Sequence, residues 1–204
     1  MNTWLLHRAA KPCLLLALCA PLAYLVWAAV ADQLGANPAE ALIRSTGDWT
    51  LRLLCLTLLM TPLRVTTGWS GLARFRRMVG VSTFCYGLLH LTAYSWLDMG
   101  LDVVDIAADI VKRPFILVGF AAMVLLTALA ATSFNRAIKA MGAKRWQALH
   151  RSVYAIAVLA ILHFFWMRAG KNNYAEVAVY AAILSALIGW RARNFWLKRA
   201  AGAR

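Results

Sequence analysis

Charge is scarce in this chain, and negative charge scarcest of all. Only 15% of its 204 residues are charged, with eight Asp and Glu against 22 Lys and Arg. A soluble domain carries about a quarter charged residues, so an ordinary water-facing surface is excluded. Cysteine is sparse too: Cys13, Cys19, Cys55 and Cys85 all sit in apolar stretches and none has CxxC spacing. That argues against a disulfide framework and against a cysteine-held zinc. Long polar stretches are missing as well. No room remains for a separate soluble domain, so chemistry in either aqueous phase must come from another protein. No repeat of 20–50 residues occurs.

What is present is hydrophobic: 62% of the chain, with mean hydropathy +0.64. A membrane-spanning helix needs about 20 mostly apolar residues. Six stretches qualify, at 11–31, 46–63, 78–97, 115–133, 149–167 and 174–191. The expected fold is therefore an all-α integral membrane protein, a six-helix transmembrane bundle that makes residues 1–204 one domain. The first stretch has the basic start and small residues of a signal peptide but is long for one, and it reads as a retained helix. Pro21 within it is expected to kink it. Pro114 falls at a helix start, where its missing N–H costs nothing, and the external link 32–48 carries Gly35, Pro38 and Gly47, which read as turn formers.

The basic residues cluster at alternate junctions: Arg8 and Lys11; Arg64, Arg74, Arg76 and Arg77; Arg136, Lys139, Lys144, Arg145 and Arg151; Arg191, Arg193, Lys198, Arg199 and Arg204. The acids Asp32, Glu40, Asp48, Asp98, Asp102, Asp105, Asp109 and Glu176 fall on the other side. The positive-inside rule then places both termini in the cytoplasm. Such clusters set topology and touch anionic membrane lipid, and no nucleic-acid partner is expected. Trp27, Trp49, Trp96 and Trp166 mark outer helix ends, and Trp69, Trp146, Trp190 and Trp196 inner ones, as an interfacial aromatic belt. The external segment 97–113 spaces Asp98, Asp102, Asp105 and Asp109 as one acidic stripe if helical. It reads either as a solvated face or as a docking face for an external partner.

Three histidines lie inside apolar helices: His90, His150 and His163. Intramembrane ionisable residues face the bundle interior and mark functional sites. His90 lies roughly 18 Å along the third helix and His163 roughly 21 Å along the fifth, at 1.5 Å per residue. Both helices run outward, so the two share a depth in the outer half, with His150 near the cytosolic end. No acid lies at that depth to complete a zinc site. Two imidazoles facing across an apolar bundle suit the axial positions of a heme iron. Gly87, Ala93, Ala157 and Ala160 would leave room for a porphyrin. The plainer reading makes each histidine a core residue bonded to a backbone carbonyl or hydroxyl. The 13 residues between His150 and His163 turn an ideal helix about 220° past whole turns. Both then point inward only if that helix is central. His7 is a flanking residue.

The blocks STGDWTLRLLCLTLLMTPLR, RFRRMVGVSTFCYGLLHLTAYSW and KRWQALHRSVYAIAVLAILHFFW resemble the heme-binding membrane subunits of bacterial periplasmic methionine-sulfoxide reductase systems, members of the ferric-reductase-like transmembrane superfamily. The resemblance covers about residues 10–195. It implies a b-type cytochrome subunit in the bacterial inner membrane, carrying electrons from a cytosolic flavin reductase or quinol to a periplasmic molybdopterin-containing catalytic subunit. On this reading the chain is not itself the sulfoxide-reducing enzyme. The resemblance also implies heme b, with one or two hemes per chain, and FMN. His90 and His163 carry over as axial ligands and His150 as an inner-site residue.

Wider superfamily members carry two histidines on each ligand helix. Here Arg76 and Arg77 occupy the place where a second histidine on the third helix would stand. The inner site then holds a heme with an unusual ligand, or a flavin or quinone. Arg74, Arg76 and Arg77 are candidate contacts to an anionic cofactor there, besides setting topology. Other readings are a stand-alone ferric reductase, a proton-coupled transporter using its histidines as relays, and a membrane scaffold without cofactor. The transporter expects buried acids near the midplane, and every acid here lies near the outer surface.

Overall fold

The computed structural model describes residues 3–170 and 172–202, all helix and turn with no strand among them. Arg204, counted in the last basic cluster, lies outside the described residues. The α-helices are α1 (Ala10–Val30), α2 (Pro38–Thr67), α3 (Arg76–Ala93), α4 (Val103–Lys112), α5 (Pro114–Ala131), α6 (Asn135–Met141), α7 (Ala143–His150), α8 (Val153–Ala169) and α9 (Ala175–Gly202). Four segments are long and apolar enough to cross a membrane: Ala10–Val30, Pro114–Ala131, Ala143–Ala169 and Ala175–Ala201. The other two expected spans lie within α2 and α3, which are more polar. α2 carries Glu40, Arg44, Asp48, Arg52 and Arg64, and α3 opens on Arg76 and Arg77.

Their position explains the polarity. α2 packs on α1, α3 and α9 and feeds both hydrophobic cores. Its Leu51, Leu54 and Leu58 join Leu126, Ile156 and Leu184 in one. Its Leu53 and Met60 join Leu5, Leu18, Phe75 and Val79 in the other. A helix surrounded by protein need not be apolar on every face. Apolar burial drives little association between helices in lipid, where close fit and interhelical hydrogen bonds do more. Thr57 of α2 and Thr83 of α3 supply such a bond, hydroxyl to hydroxyl at 3.2 Å.

Local sequence sets the ends. Asn37 caps α2 by accepting from the Glu40 amide at 3.1 Å, with Pro38 in the first turn. Gly68 closes α2 with φ +71°, a left-handed conformation that suits glycine. Pro21 lies within α1, and beside it the Tyr86 hydroxyl donates to the Leu18 carbonyl at 2.8 Å and accepts from the Leu22 amide at 3.1 Å. A side chain inserted between a carbonyl and the amide four residues on is a recognised cause of bending.

Two expectations change in detail. The fifth stretch is not one uniform helix. Ser152 donates to Leu149 and Tyr154 to Arg151, three residues back, so the ladder tightens between α7 and α8. The turn calculated for an ideal helix from His150 to His163 therefore does not apply. Nor do the four outer acids form one stripe. α3 ends in a π-helical turn at Tyr94–Asp98, and Gly100 (φ +59°) and Leu101 (φ +63°) then reverse the chain. Asp102 becomes the cap of α4, accepting from Val104 and Asp105. Asp109 turns inward, 8% exposed, between the Tyr94 hydroxyl at 2.5 Å and Arg113 at 2.6 Å.

Candidate functional site

His90 on α3 and His163 on α8 meet inside the bundle, with ring centroids 6.2 Å apart and planes at 76°. Each ring is anchored on its far side by a carbonyl of a neighbouring helix. His90 Nδ1 lies 2.8 Å from the Ile43 carbonyl oxygen on α2. His163 Nδ1 lies 2.7 Å from the Phe115 carbonyl oxygen on α5. A carbonyl only accepts, so both Nδ1 atoms carry the proton and both Nε2 atoms keep a bare lone pair. Metal-bound histidines are held in this way, with the second ring nitrogen donating to a carbonyl or carboxylate.

This geometry fits a heme iron. Two imidazoles on opposite sides of one first-row metal, each bonded at about 2.0–2.1 Å, have ring centres about 6 Å apart. Among the described residues no three His, Cys, Asp or Glu side chains gather as a metal site. The donor set is thus two neutral nitrogens, which suits an iron whose other four positions a porphyrin fills. The backbone-bonded state offered by the plainer sequence reading is also present. It occupies the Nδ1 atoms and so prepares the Nε2 atoms rather than competing with ligation.

The glycine expected to open space, Gly87, is instead a packing contact: a Cβ added there would lie 3.3 Å from Met123 Sδ and 3.5 Å from Thr50. The glycines that face the histidines are Gly47 and Gly119. Sequence reading took Gly47 for a turn former in the link 32–48 and passed over Gly119; the structure places Gly47 inside α2, and each histidine lies on a different helix from its glycine.

His150 lies apart from this pair. It borders a cavity of about 550 Å³ at the basic end of the bundle, shared with Thr57, Arg64, Arg76, Arg77, Tyr154 and Arg191. His150 Nδ1 lies 3.1 Å from the Trp146 carbonyl oxygen, and the two rings stack at 4.0 Å. Trp146 is itself fixed, its Nε1 donating to the Thr132 carbonyl at 2.9 Å. Trp146 looked like a plain belt residue in the sequence. Its spacing of four from His150 is the signal that pairs them on one helix face.

Three buried side-chain atoms lack a partner among the described residues: His150 Nε2, Ser152 Oγ and Arg191 Nη1. His150 and Arg191 both border the cavity. Buried polar atoms are normally bonded, so two such atoms at one cavity suit a polar or anionic occupant. Of the three arginines singled out in the sequence, Arg76 and Arg77 reach the cavity and Arg74 does not. Arg74 donates to the Leu5 carbonyl at 3.0 Å, and Arg77 also donates to Asn135 at 2.7 Å.

Residues 46–161 match the family described as "Ferric reductase like transmembrane component". The match takes in Gly47, His90, Gly119 and His150 and ends just before His163. This chain belongs to that family, and within it to the MsrQ proteins. A relative from Polaromonas naphthalenivorans is 67% identical over 195 residues, 96% of this chain and 89% of its own. One from Bordetella pertussis is 51% identical, covering 94% and 92% of the two chains. One from Xanthomonas campestris is 46% identical, covering 90% and 85%. Each is called the heme-binding subunit MsrQ of a protein-methionine-sulfoxide reductase. No solved structure matches the chain.

Proposed function

We propose that the protein is a b-type cytochrome subunit that passes electrons across the bacterial inner membrane. They go from a cytosolic flavin reductase or quinol to a periplasmic molybdopterin-containing methionine-sulfoxide reductase. The observation that carries this reading is the close pair His90 and His163, each ring fixed through Nδ1 by a carbonyl of a neighbouring helix. The relatives' shared description as heme-binding subunits supports it.

α1, α2, α3, α5, α7–α8 and α9 then form six spans with both termini in the cytoplasm. The charge distribution favours that arrangement. Arg64, Arg76, Arg77, Arg151 and Arg191 come from separate chain segments and converge on one end. Asp98, Asp102, Asp105, Asp109 and Glu176 belong to the segments at the other. Positive charge concentrates on the cytoplasmic face.

A heme between His90 and His163 would supply one-electron chemistry at the outer level. The protein's part is to hold and tune it. Held by both imidazoles, such a heme would serve electron transfer rather than oxygen binding. The carbonyls of Ile43 and Phe115 fix both ring orientations and make the nitrogens better donors. His150, Arg76, Arg77 and Arg191 would hold a second, anionic group near the cytoplasmic face, and FMN, a quinone or a second heme all present suitable oxygens. A single outer heme would leave much of a roughly 30 Å hydrocarbon core uncrossed, which is why the inner cavity belongs to the electron path.

The test is heme per polypeptide, read by pyridine hemochrome on protein purified from heme-supplemented cells. A ratio near zero would overturn the reading. A ratio near one is expected if flavin or quinone fills the inner cavity, and near two if a heme does.

A further inference from the structure

Gly47 and Gly119 stand in the same relation to the two facing histidines. His90 bonds to the carbonyl of Ile43, four residues before Gly47 on α2. His163 bonds to the carbonyl of Phe115, four residues before Gly119 on α5. A methyl group at Gly47 would lie 3.0 Å from His90 Cε1 and 3.1 Å from Nδ1. At Gly119 it would lie 2.7 Å from His163 Nδ1 and 2.9 Å from Cε1. The second approach is closer than packed carbon and nitrogen allow, and the first is at the limit.

Helix geometry explains the offset. Each Cα–Cβ bond tilts toward the helix N-terminus, so a side chain leans over the turn before it. Two neighbours of Gly47 show where that places a side chain: the Thr46 hydroxyl donates to Leu42 at 2.7 Å and the Thr50 hydroxyl to Thr46 at 2.8 Å, each four residues back. At Gly47 and Gly119 that space is vacated, and an imidazole from another helix fills it. The carbonyl four residues back also accepts the imidazole N–H, and at Ile43 it is shared with the Thr46 hydroxyl, 2.9 Å away.

We propose that Gly47 and Gly119 are positioning residues for the heme ligands: the missing side chain at each uncovers a helix carbonyl that pins one imidazole by Nδ1 and aims its Nε2 at the iron. This rests on the heme reading above. An added methyl at either glycine would crowd the imidazole first, so it would act on a bound heme through the histidine. A change that removes such a partner typically costs 10–100-fold in metal affinity. It also lowers the basicity of the nitrogen on iron, stabilising ferric iron less, so the midpoint potential rises.

The experiment compares Gly119→Ala, Gly47→Ala and Gly189→Ala in full-length protein purified in detergent. Gly189 is exposed on α9, where an added Cβ would meet nothing within 4 Å, and it serves as the control for helix propensity. Three quantities are read: heme per polypeptide, the low-spin ferric EPR signal and the reductive midpoint potential. The expected order of heme loss is Gly119→Ala, then Gly47→Ala, with Gly189→Ala equal to the parent. The heme retained by the first two should show a shifted EPR signal and a raised potential. Parent-like heme content, EPR and potential in both Gly119→Ala and Gly47→Ala would overturn the proposal while leaving the heme reading intact. A parent protein without heme would instead overturn the reading beneath it. Should Gly119→Ala not survive purification, the less crowded Gly47→Ala decides.

Discussion

His90 and His163 take their Nδ1 anchors from neighbouring helices, at Ile43 and Phe115, whereas His150 takes its anchor from Trp146, one turn back on its own helix. The outer pair is cross-braced by four helices, α2, α3, α5 and α8, with the two ring centroids 6.2 Å apart. The inner histidine faces a cavity bordered by arginines, and its Nε2 has no partner among the described residues. On the proposed reading, the outer site has both its protein donors in place. The inner site is complete only with its occupant. Substitutions at the outer pair should therefore act as loss of a ligand, and those at the inner cavity as loss of retention.

The largest expected effect is at the outer pair. His163→Ala or His90→Ala should remove about one heme per chain, since neither ring has a substitute donor within the site. Heme per polypeptide and the reduced b-type absorption band check it. Retention of the parent ratio and spectrum in both variants would erase the distinction between the regions. His150→Ala, by contrast, should leave the outer heme's EPR signal unchanged. It should cost the second heme, flavin or quinone, measured by hemochrome ratio and by extraction of bound flavin and quinone.

A finer effect separates the two inner arginines. The guanidinium of Arg77 is partly committed to Asn135 at 2.7 Å, while the Arg76 side chain borders the same cavity without such a tether among the described residues. Arg76→Gln should weaken retention of an anionic occupant about 10- to 100-fold, the size of one charge-assisted hydrogen bond. Arg77→Gln should weaken it less. Occupancy of the inner site after gel filtration at rising salt measures both, and equal losses would show that Asn135 does not hold Arg77 back.

How much of this could be read from the sequence follows the same divide. His90 and His163 could be paired because depth along two parallel helices follows from residue rise alone. The helix start at Pro114 was legible from local sequence, whereas Pro38 and Gly47 looked like turn formers in a link and the structure places both within α2. The places of Gly47 and Gly119 beside the histidines were not legible, because a glycine's meaning here depends on which helix lies over it. The break between α7 and α8 also escaped, since Leu149–Val153 contains neither glycine nor proline. The acids 98, 102, 105 and 109 have helical spacing, yet Gly100 and Leu101 reverse the chain between them. Arg74, Arg76 and Arg77 look alike in sequence, and only the turn from 70 to 75 sends the first toward Leu5.

The smallest predicted effect lies away from both sites, where the Tyr86 hydroxyl bridges two backbone groups of α1. Tyr86→Phe removes the hydroxyl held between the Leu18 carbonyl and the Leu22 amide while keeping the ring against Trp49 at 6.4 Å. Two buried groups left unpaired would cost about 1–3 kcal/mol each. These two, however, are each other's natural partners in an α-helix, a carbonyl and the amide four residues on. With the hydroxyl gone α1 can straighten and close that bond, so the net cost should be about 1 kcal/mol, the worth of one hydrogen bond. Thermal unfolding in detergent should fall by a few degrees, with heme content and EPR unchanged. A parent-like midpoint would mean that α1 closes at no cost. A loss of heme would mean that the α1–α3 contact reaches the outer site, and that the two regions are less independent than their anchors suggest.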